Sequence, residues 1–233
     1  MPYSLLSPTP DTPSTPQPPD LVLAQEQQWL RDCARQGRAG AHLWQASQCL
    51  IVTRKDMRLP HYQSACEQLA AEGWPVYVRD SGGTAVPHGA GILNLSLLLP
   101  RTTTDLGHYY QLLGAPLLAL LADYGLQGGY DFVPGSFCDG QYNLVIGGRK
   151  ITGTAQRWLA PAQDHRGAVL AQAMLLVAGI WTRGPGWRAA SMSWRAGSCA
   201  SCPAPPPRWH SRSVGRAVPR SWWRRSGGGC RRC

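Results

Sequence analysis

The segment from Gly135 to Arg157 constrains this chain more than any other part of it. Tyr142-Asn-Leu-Val-Ile146 alternates as a strand does, Gly147-Gly148 supplies a two-residue hairpin turn, and Arg149–Gln156 returns as a second strand. Lys150 stands just past that turn, and Cys138 precedes it in a glycine-flanked loop. A lysine on a rigid β-ribbon is a fixed point charge, suited to a carboxyl, carbonyl or phosphoryl oxygen. A nearby cysteine can serve as a nucleophile whose thiolate that cation stabilises. The plain alternative is a surface lysine and a small buried thiol.

Charge is distributed unevenly. The 233 residues carry a formal net charge of +10 from 23 basic and 13 acidic side chains. Eleven arginines and no lysine or acid lie from Ala178 onward, so residues 1–177 hold 12 basic and 13 acidic groups, a net of −1. A near-neutral body offers no electrostatic footprint for nucleic acid or an anionic membrane. Met1–Asp20 lacks the basic and apolar regions of a signal peptide, and no apolar run reaches the roughly 18 residues of a membrane span. Cys33, Cys49, Cys66 and Cys138 show no regular spacing, which fits free thiols in a reducing, cytoplasmic setting and no metal site.

Along the chain, the prolines between Ser7 and Pro19 mark residues 1–19 as a disordered lead. Asp20 is placed to cap a helix reaching Gln36, with Leu21, Leu23, Ala24, Trp29 and Leu30 on its apolar side. His42–Val52 reads as one strand, Pro60–Ala71 as a helix and Trp74–Arg79 as a strand. Ser81-Gly82-Gly83 forces a turn whose backbone N–H groups can face a ligand. Gly91–Leu99 is an apolar strand. Thr104 or Asp105 caps a long apolar helix, buried on several sides, that reaches Tyr124; Gly125–Val133 then links to the hairpin, and Ala168–Val177 is the last strand. This order predicts an α+β fold, a mixed and mostly antiparallel sheet with helices packed outside.

Two motifs carry a resemblance. Arg79-Asp-Ser-Gly-Gly-Thr-Ala-Val-Pro-His-Gly-Ala-Gly-Ile-Leu-Asn-Leu-Ser96 is similar to R-x-S-G-G-x-A-V-x-H-x-x-G-x-L-N-x-S, and Gly148-Arg-Lys-Ile-Thr-Gly-Thr-Ala-Gln-Arg157 to G-R-K-x-x-G-x-A-x-R. Both are patterns of the lipoate/octanoate attachment family, the lipoate–protein ligases and octanoyltransferases related to biotin protein ligase. The resemblance spans about Asp20 to Val177 and implies that family's catalytic domain over residues 20–177. Cys138-Asp-Gly-Gln-Tyr-Asn-Leu resembles most the cysteine-dependent amidotransferase branch, which takes octanoyl from a glycine-cleavage H-type protein. Thr84 replaces the third glycine of many ligases, and Gly89 the aspartate after the histidine; both point away from adenylate chemistry.

The resemblance implies roles for particular residues. Lys150 orients the acyl carbonyl and Cys138 carries the acyl group as a thioester. Ser81, Gly82 and Gly83 form the acyl-pocket loop, with Arg79, His88 and Asn94 at the substrate, while Gly153 and Ala155 let the backbone pack close to it. The implied partners are lipoyl-domain proteins (2-oxoacid dehydrogenase E2 and the glycine-cleavage H protein), with an acyl carrier protein as a candidate donor. The transferase needs no cofactor beyond its lipoyl or octanoyl substrate. An ATP-dependent ligase, working through an adenylate, needs ATP and Mg²⁺. A third alternative is an inactive, C-terminally truncated relative that binds acyl cargo or lipoyl domains.

Residues 178–233 change character abruptly. They lack Leu, Phe, Tyr and acids, yet hold six of the ten tryptophans. Cys199-x-x-Cys202 with Cys230-x-x-Cys233 satisfies a four-thiolate zinc count, and an Arg/Trp-rich segment suits RNA. The preferred reading is out-of-frame translation of a GC-rich gene, whose codons favour Arg, Gly, Pro, Ala, Trp, Ser and Cys.

Overall fold

The structure, a computed structural model, describes residues 4–5, 15–134, 136 and 140–177. Its strands are β1 (Ser4–Leu5), β2 (Gly40–Trp44), β3 (Cys49–Thr53), β4 (Val76–Arg79), β5 (Val86–His88), β6 (Ile92–Pro100), β7 (Gly128–Asp131), β8 (Asn143–Ile146), β9 (Arg149–Leu159) and β10 (Ala168–Leu176). The helices are α1 (Pro19–Gln36), α2 (Tyr62–Ala71) and α3 (Leu106–Asp123). The Gly147-Gly148 turn forms as the sequence requires. Both glycines are left-handed, at φ 55° and 72°, and they join β8 to β9.

That hairpin belongs to a seven-stranded sheet in the order β1-β2-β6-β10-β9-β8-β7, antiparallel throughout except for the β1–β2 pair. The mixed α+β expectation holds, with one difference. The strand predicted over His42–Val52 is two strands in two sheets, because β3 leaves to form a smaller sheet of order β4-β3-β5. Between them Ala46 bridges Gln17, and the Gln17 amide donates to the Gln45 carbonyl at 2.8 Å. The peptide groups at this corner are thus satisfied without regular strand pairing.

Each face of the large sheet has its own cover. Leu97, Leu99, Val169, Ala171, Ala173 and Leu144 pack against Tyr109, Leu113 and Leu117 of α3. On the other side Leu98, Ala168 and Leu170 meet Leu30, Cys33 and Ala34 of α1. Val22 of α1 closes onto Trp44, Cys49 and Ile51, where the small sheet joins. Strand alternation makes this two-sided arrangement possible, since successive residues of β6 and β10 serve opposite layers.

The helix ends refine the sequence expectations. Pro18 occupies the N-cap of α1, so Asp20 sits in its first turn, beside the positive end of the helix dipole, instead of capping it. Asp105 does cap α3, its Oδ1 accepting from the Gly107 amide at 2.8 Å. This helix is buried along one face only. Leu106 and Leu120 are 55 % and 47 % exposed, because the sheet covers a single side of it.

Gly114 of α3 marks the closest approach to the β7 edge. A Cβ there would lie 1.9 Å from the Tyr130 hydroxyl oxygen and 2.7 Å from Cζ of the same ring. Gly→Ala in a helix interior ordinarily stabilises by about 1 kcal/mol. Overpacking of this kind costs about 1–3 kcal/mol, so the clash decides the sign. Gly114→Ala is expected to lower the midpoint of urea unfolding, and to raise it in a Tyr130→Ala background where the ring is gone.

Candidate active site

Strand register lays two rows of side chains across the α1 face of the sheet. One row runs Trp44, Asn94, Met174, Gly153; the next runs His42, Ser96, Gln172, Ala155. The small sheet closes over these rows with Arg79, Val86 and His88, leaving a cavity of about 60 Å³ between them. A second cavity of about 380 Å³, lined by Asp20, Arg54, Met57, Tyr77 and Ser81 among others, shares Leu23, Arg79 and Gln172 with the first. The first is well below the roughly 300 Å³ of an ordinary ligand pocket, and the second reaches that size.

Lys150 reaches this face by a β-bulge. On an unbroken strand it would share the α3 side with Thr152. The register shifts, however: Leu144 pairs with Thr152 while Val145 pairs with Lys150, leaving Ile151 as the extra residue. The bulge turns Lys150 onto the side of Gly153 and Ala155. Its side chain is buried, and Nζ donates to the Ser136 hydroxyl at 3.3 Å. A Cβ on Gly153 would stand 3.4 Å from Lys150 Cε and 3.5 Å from Nζ, ordinary contact distances, so the lysine lies directly over this position.

The Ser81-Gly82-Gly83 turn is held from three directions. Arg79, buried beneath it, donates Nη2 to the carbonyls of Gly82 at 3.0 Å and Thr84 at 2.7 Å, and Nη1 to that of Ile51 at 3.3 Å. The Gly82 amide donates to the Gln156 carbonyl of β9 at 3.3 Å. Asp80 pairs with Arg54 through Oδ1, and its Oδ2 stands 3.9 Å from Nε of Arg157. Arg79 therefore braces the turn while lining both cavities. The turn meets β9 three residues beyond Gly153, about 10 Å along the strand. Ser81 is 4 % exposed, and its Oγ has no hydrogen-bond partner among the described residues.

His88 and Asn94 meet at the inner wall. His88 Nδ1 lies 3.2 Å from the Val86 carbonyl and Nε2 lies 3.1 Å from Asn94 Oδ1, while Asn94 Nδ2 donates to the Trp44 carbonyl at 3.4 Å. Burial pushes the His88 imidazole down to about 4, against its hydrogen bond to Val86; the nearby Arg79 charge adds to the lowering and the contact with Asn94 opposes it. The low value favours the neutral ring at pH 7, in which one nitrogen donates to one of these two oxygens, and the ring lines the first cavity.

Four further residues build the site. Glu26 of α1 is 1 % exposed. Its Oε1 accepts from Trp44 Nε1 at 3.1 Å and from the Ser96 hydroxyl, and its Oε2 accepts from Gln172 Nε2 at 2.7 Å. One carboxylate thus fixes Trp44, Ser96 and Gln172. A signal for it existed, since Val22, Glu26 and Leu30 recur at four-residue spacing on the buried face of α1, with a charge in the middle of the apolar stripe.

Of the residues singled out from sequence, Arg79, His88, Asn94, Gly153 and Ala155 line the first cavity, and Arg79 and Ser81 line the second. Gly82 and Gly83 form the turn, Gly83 at φ +106°. Cys138 lies outside the described residues, as does the whole of residues 178–233 with the readings attached to it. Among the described residues no group of three His, Cys, Asp or Glu side chains is placed to hold a metal ion. No helix among them is long and apolar enough to cross a membrane.

Residues 18–179 match the family described as lipoyl protein ligase A/B catalytic domain, and the chain belongs to that family. It is 39 % identical over 160 residues to an octanoyl-[GcvH]:protein N-octanoyltransferase of Kyrpidia tusciae, covering 66 % of this chain and 56 % of that protein. It is 36 % identical over 148 residues to the protein of that name from Geobacillus kaustophilus, covering 63 % and 50 %. The chain thus spans about half the length of these curated relatives. A solved structure of lipoate-protein ligase A bound with ATP superposes with a TM-score of 0.57 at 20 % identity, over 77 % of this chain and 68 % of that one.

The buried imidazole gives a pH prediction. An unfolded histidine titrates near 6.5, so as pH falls the unfolded chain takes a proton before folded His88 does. Stability is full above about pH 6.5 and declines as pH falls toward 4, by about 3 kcal/mol in all. Denaturant titrations stepped through that range are expected to show this slope, and His88→Gln to flatten it.

Proposed function

We propose that this chain transfers an octanoyl or lipoyl group to a lysine of a lipoyl-domain protein through a thioester on Cys138. The observation that carries this is the buried Lys150 ammonium, turned by a bulge onto the same face as the cavity and lying over Gly153. A fixed cation in a dry site stabilises charge developing on a carbonyl oxygen far more than it would in water.

In the first half-reaction the Cys138 thiolate attacks the acyl carbonyl of the donor. A carbon–sulfur bond forms, the donor's bond to the acyl carbon breaks, and the departing lysine amine takes up a proton. In the second, the amine of the target lysine attacks the thioester, a carbon–nitrogen bond forms, and the thiolate leaves as the amine sheds a proton. Lys150 holds the carbonyl oxygen in both. The other cysteines of residues 1–177 are poor nucleophiles. Burial pushes the thiols of Cys33 and Cys49 up to about 11 and 12, and raises that of Cys66 on α2. None of these three lines either cavity. Cys138 remains, two positions from the serine that receives the Lys150 hydrogen bond.

The donor and acceptor are read as lipoyl-domain proteins, GcvH and the E2 subunits of 2-oxoacid dehydrogenases, because two relatives are named for octanoyl-GcvH. The reaction needs no cofactor beyond the octanoyl substrate. The enzyme is assigned to the cytoplasm, its catalytic unit to residues 20–177, and residues 178–233 to an altered reading frame.

Mixing the protein with octanoylated GcvH and an apo-lipoyl domain, without ATP, tests this by mass spectrometry of the acceptor. Octanoyl transfer is expected, abolished in Cys138→Ser and reduced about 100-fold or more in Lys150→Ala. Labelling that requires ATP and Mg²⁺ and survives Cys138→Ser would assign the ligase reaction instead. Acyl binding without labelling would leave a non-catalytic relative.

A further inference from the structure

Asn143 is a polar residue of this face whose chemistry nothing above uses; His42 Nδ1, also without a hydrogen bond among the described residues, stands 3.9 Å from the Glu26 carboxylate. Asn143 is 1 % exposed, and neither its Nδ2 nor its Oδ1 has a hydrogen-bond partner among the described residues. Leu144 points into the α3 core, so Asn143 and Val145 point the other way, to the side where the bulge also sends Lys150. The register that sets Leu144 against Thr152 sets Asn143 beside Gly153, over which the Lys150 ammonium lies. Directly opposed residues of an antiparallel pair hold their Cβ positions about 4.5–5.5 Å apart. Asn143, Lys150 and the bare backbone of Gly153 therefore converge.

Buried amides are nearly always satisfied, because an unmet donor or acceptor costs its full desolvation. Thr152 Oγ1 is also without a partner, but it faces the α3 layer. Asn143 instead faces the site. Its residue type fits as well. An aspartate there would pair with Lys150 and divert the ammonium from a carbonyl, whereas a carboxamide adds two N–H donors and no charge.

We propose that Asn143 is a substrate-binding residue, whose Nδ2 donates to the acyl carbonyl oxygen that Lys150 also holds and whose Oδ1 accepts an N–H of the attacking amine. The ligand is thus an acyl amide or thioester with a lysine amine, and the assignment rests on the acyl-transfer reading above. The protein carries the unmet amide when free and satisfies it when substrate arrives.

The test compares the full chain with Asn143→Leu and Asn143→Asp. Melting temperature is read with and without Nε-octanoyl-lysine, alongside octanoyl transfer from octanoylated GcvH. Asn143→Leu removes the unmet polar atoms at similar volume, so it is expected to melt roughly 2–4 °C higher than the wild type. It should also lose the upward shift that Nε-octanoyl-lysine gives the wild type. Transfer should fall at least about tenfold in kcat/KM for both variants. A structural role moves melting temperature and activity down together, so Asn143→Leu melting below the wild type overturns the assignment. Retained transfer in Asn143→Asp, which keeps the oxygen and loses the donors, overturns it too, as does a wild type that Nε-octanoyl-lysine leaves unshifted. If that compound stabilises the wild type but not Asn143→Leu while no transfer occurs, the binding assignment stands and the acyl-transfer reading fails.

Discussion

A buried ammonium on a β-ribbon is the constraint around which this fold is arranged. Placing a lysine head group inside a protein is costly unless something receives its hydrogen bonds and its charge is used. Here the Ser136 hydroxyl takes one bond, and the side chain lies over Gly153. The ribbon supplies rigidity. Lys150 pairs with Val145 of β8, and from Thr152 onward β9 is paired with β10, so the cation is held by the sheet and not by a loop. The seven-stranded sheet is, in this sense, a mount for one charge.

The surrounding polar residues divide into scaffold and reagent. Arg79, Asp80 and the Gly82 amide are consumed in holding a turn, and Glu26 is consumed in holding Trp44, Ser96 and Gln172. These groups satisfy one another and present few open hydrogen-bonding positions. Ser81 Oγ and the Asn143 amide do the opposite, being buried and unmet. Preorganised sites commonly show this contrast, because groups aimed at a substrate have no partner inside the protein to relax toward.

How much of this was legible in the sequence depended on whether a local signal existed. Gly147-Gly148 can hardly be anything but a tight turn, so the ribbon followed from the residues alone, while the register shift at Ile151 did not. The apolar runs that became β6, β10 and α3 were equally plain, and the cap of α3 was narrowed to Thr104 or Asp105, of which Asp105 serves. The break inside His42–Val52 was hidden, because Gln45-Ala46-Ser47-Gln48 contains no glycine or proline and the bridge to Gln17 that makes it is long-range. β5 carries Pro87, which argues against a strand in general and is tolerated on an edge, as here. β7 passed as a linker because Gly128 and Gly129 weaken any strand pattern.

At the site, the glycine turn and Lys150 were readable from motif. Asn143 was visible only as the polar member of an alternating strand, and its significance needs the burial of its neighbours. The bulge at Ile151 has a further effect, on which sequence changes a lineage could tolerate. Residues added at the Gly147-Gly148 tip would lengthen a solvent loop and leave the paired strands in step. Loss of the extra residue Ile151 would restore an unbroken ladder in which Lys150, now next to Thr152, still stands on the side of Gly153. The ribbon thus has room for change at its tip and at its bulge, so drift in hairpin size is compatible with unchanged chemistry.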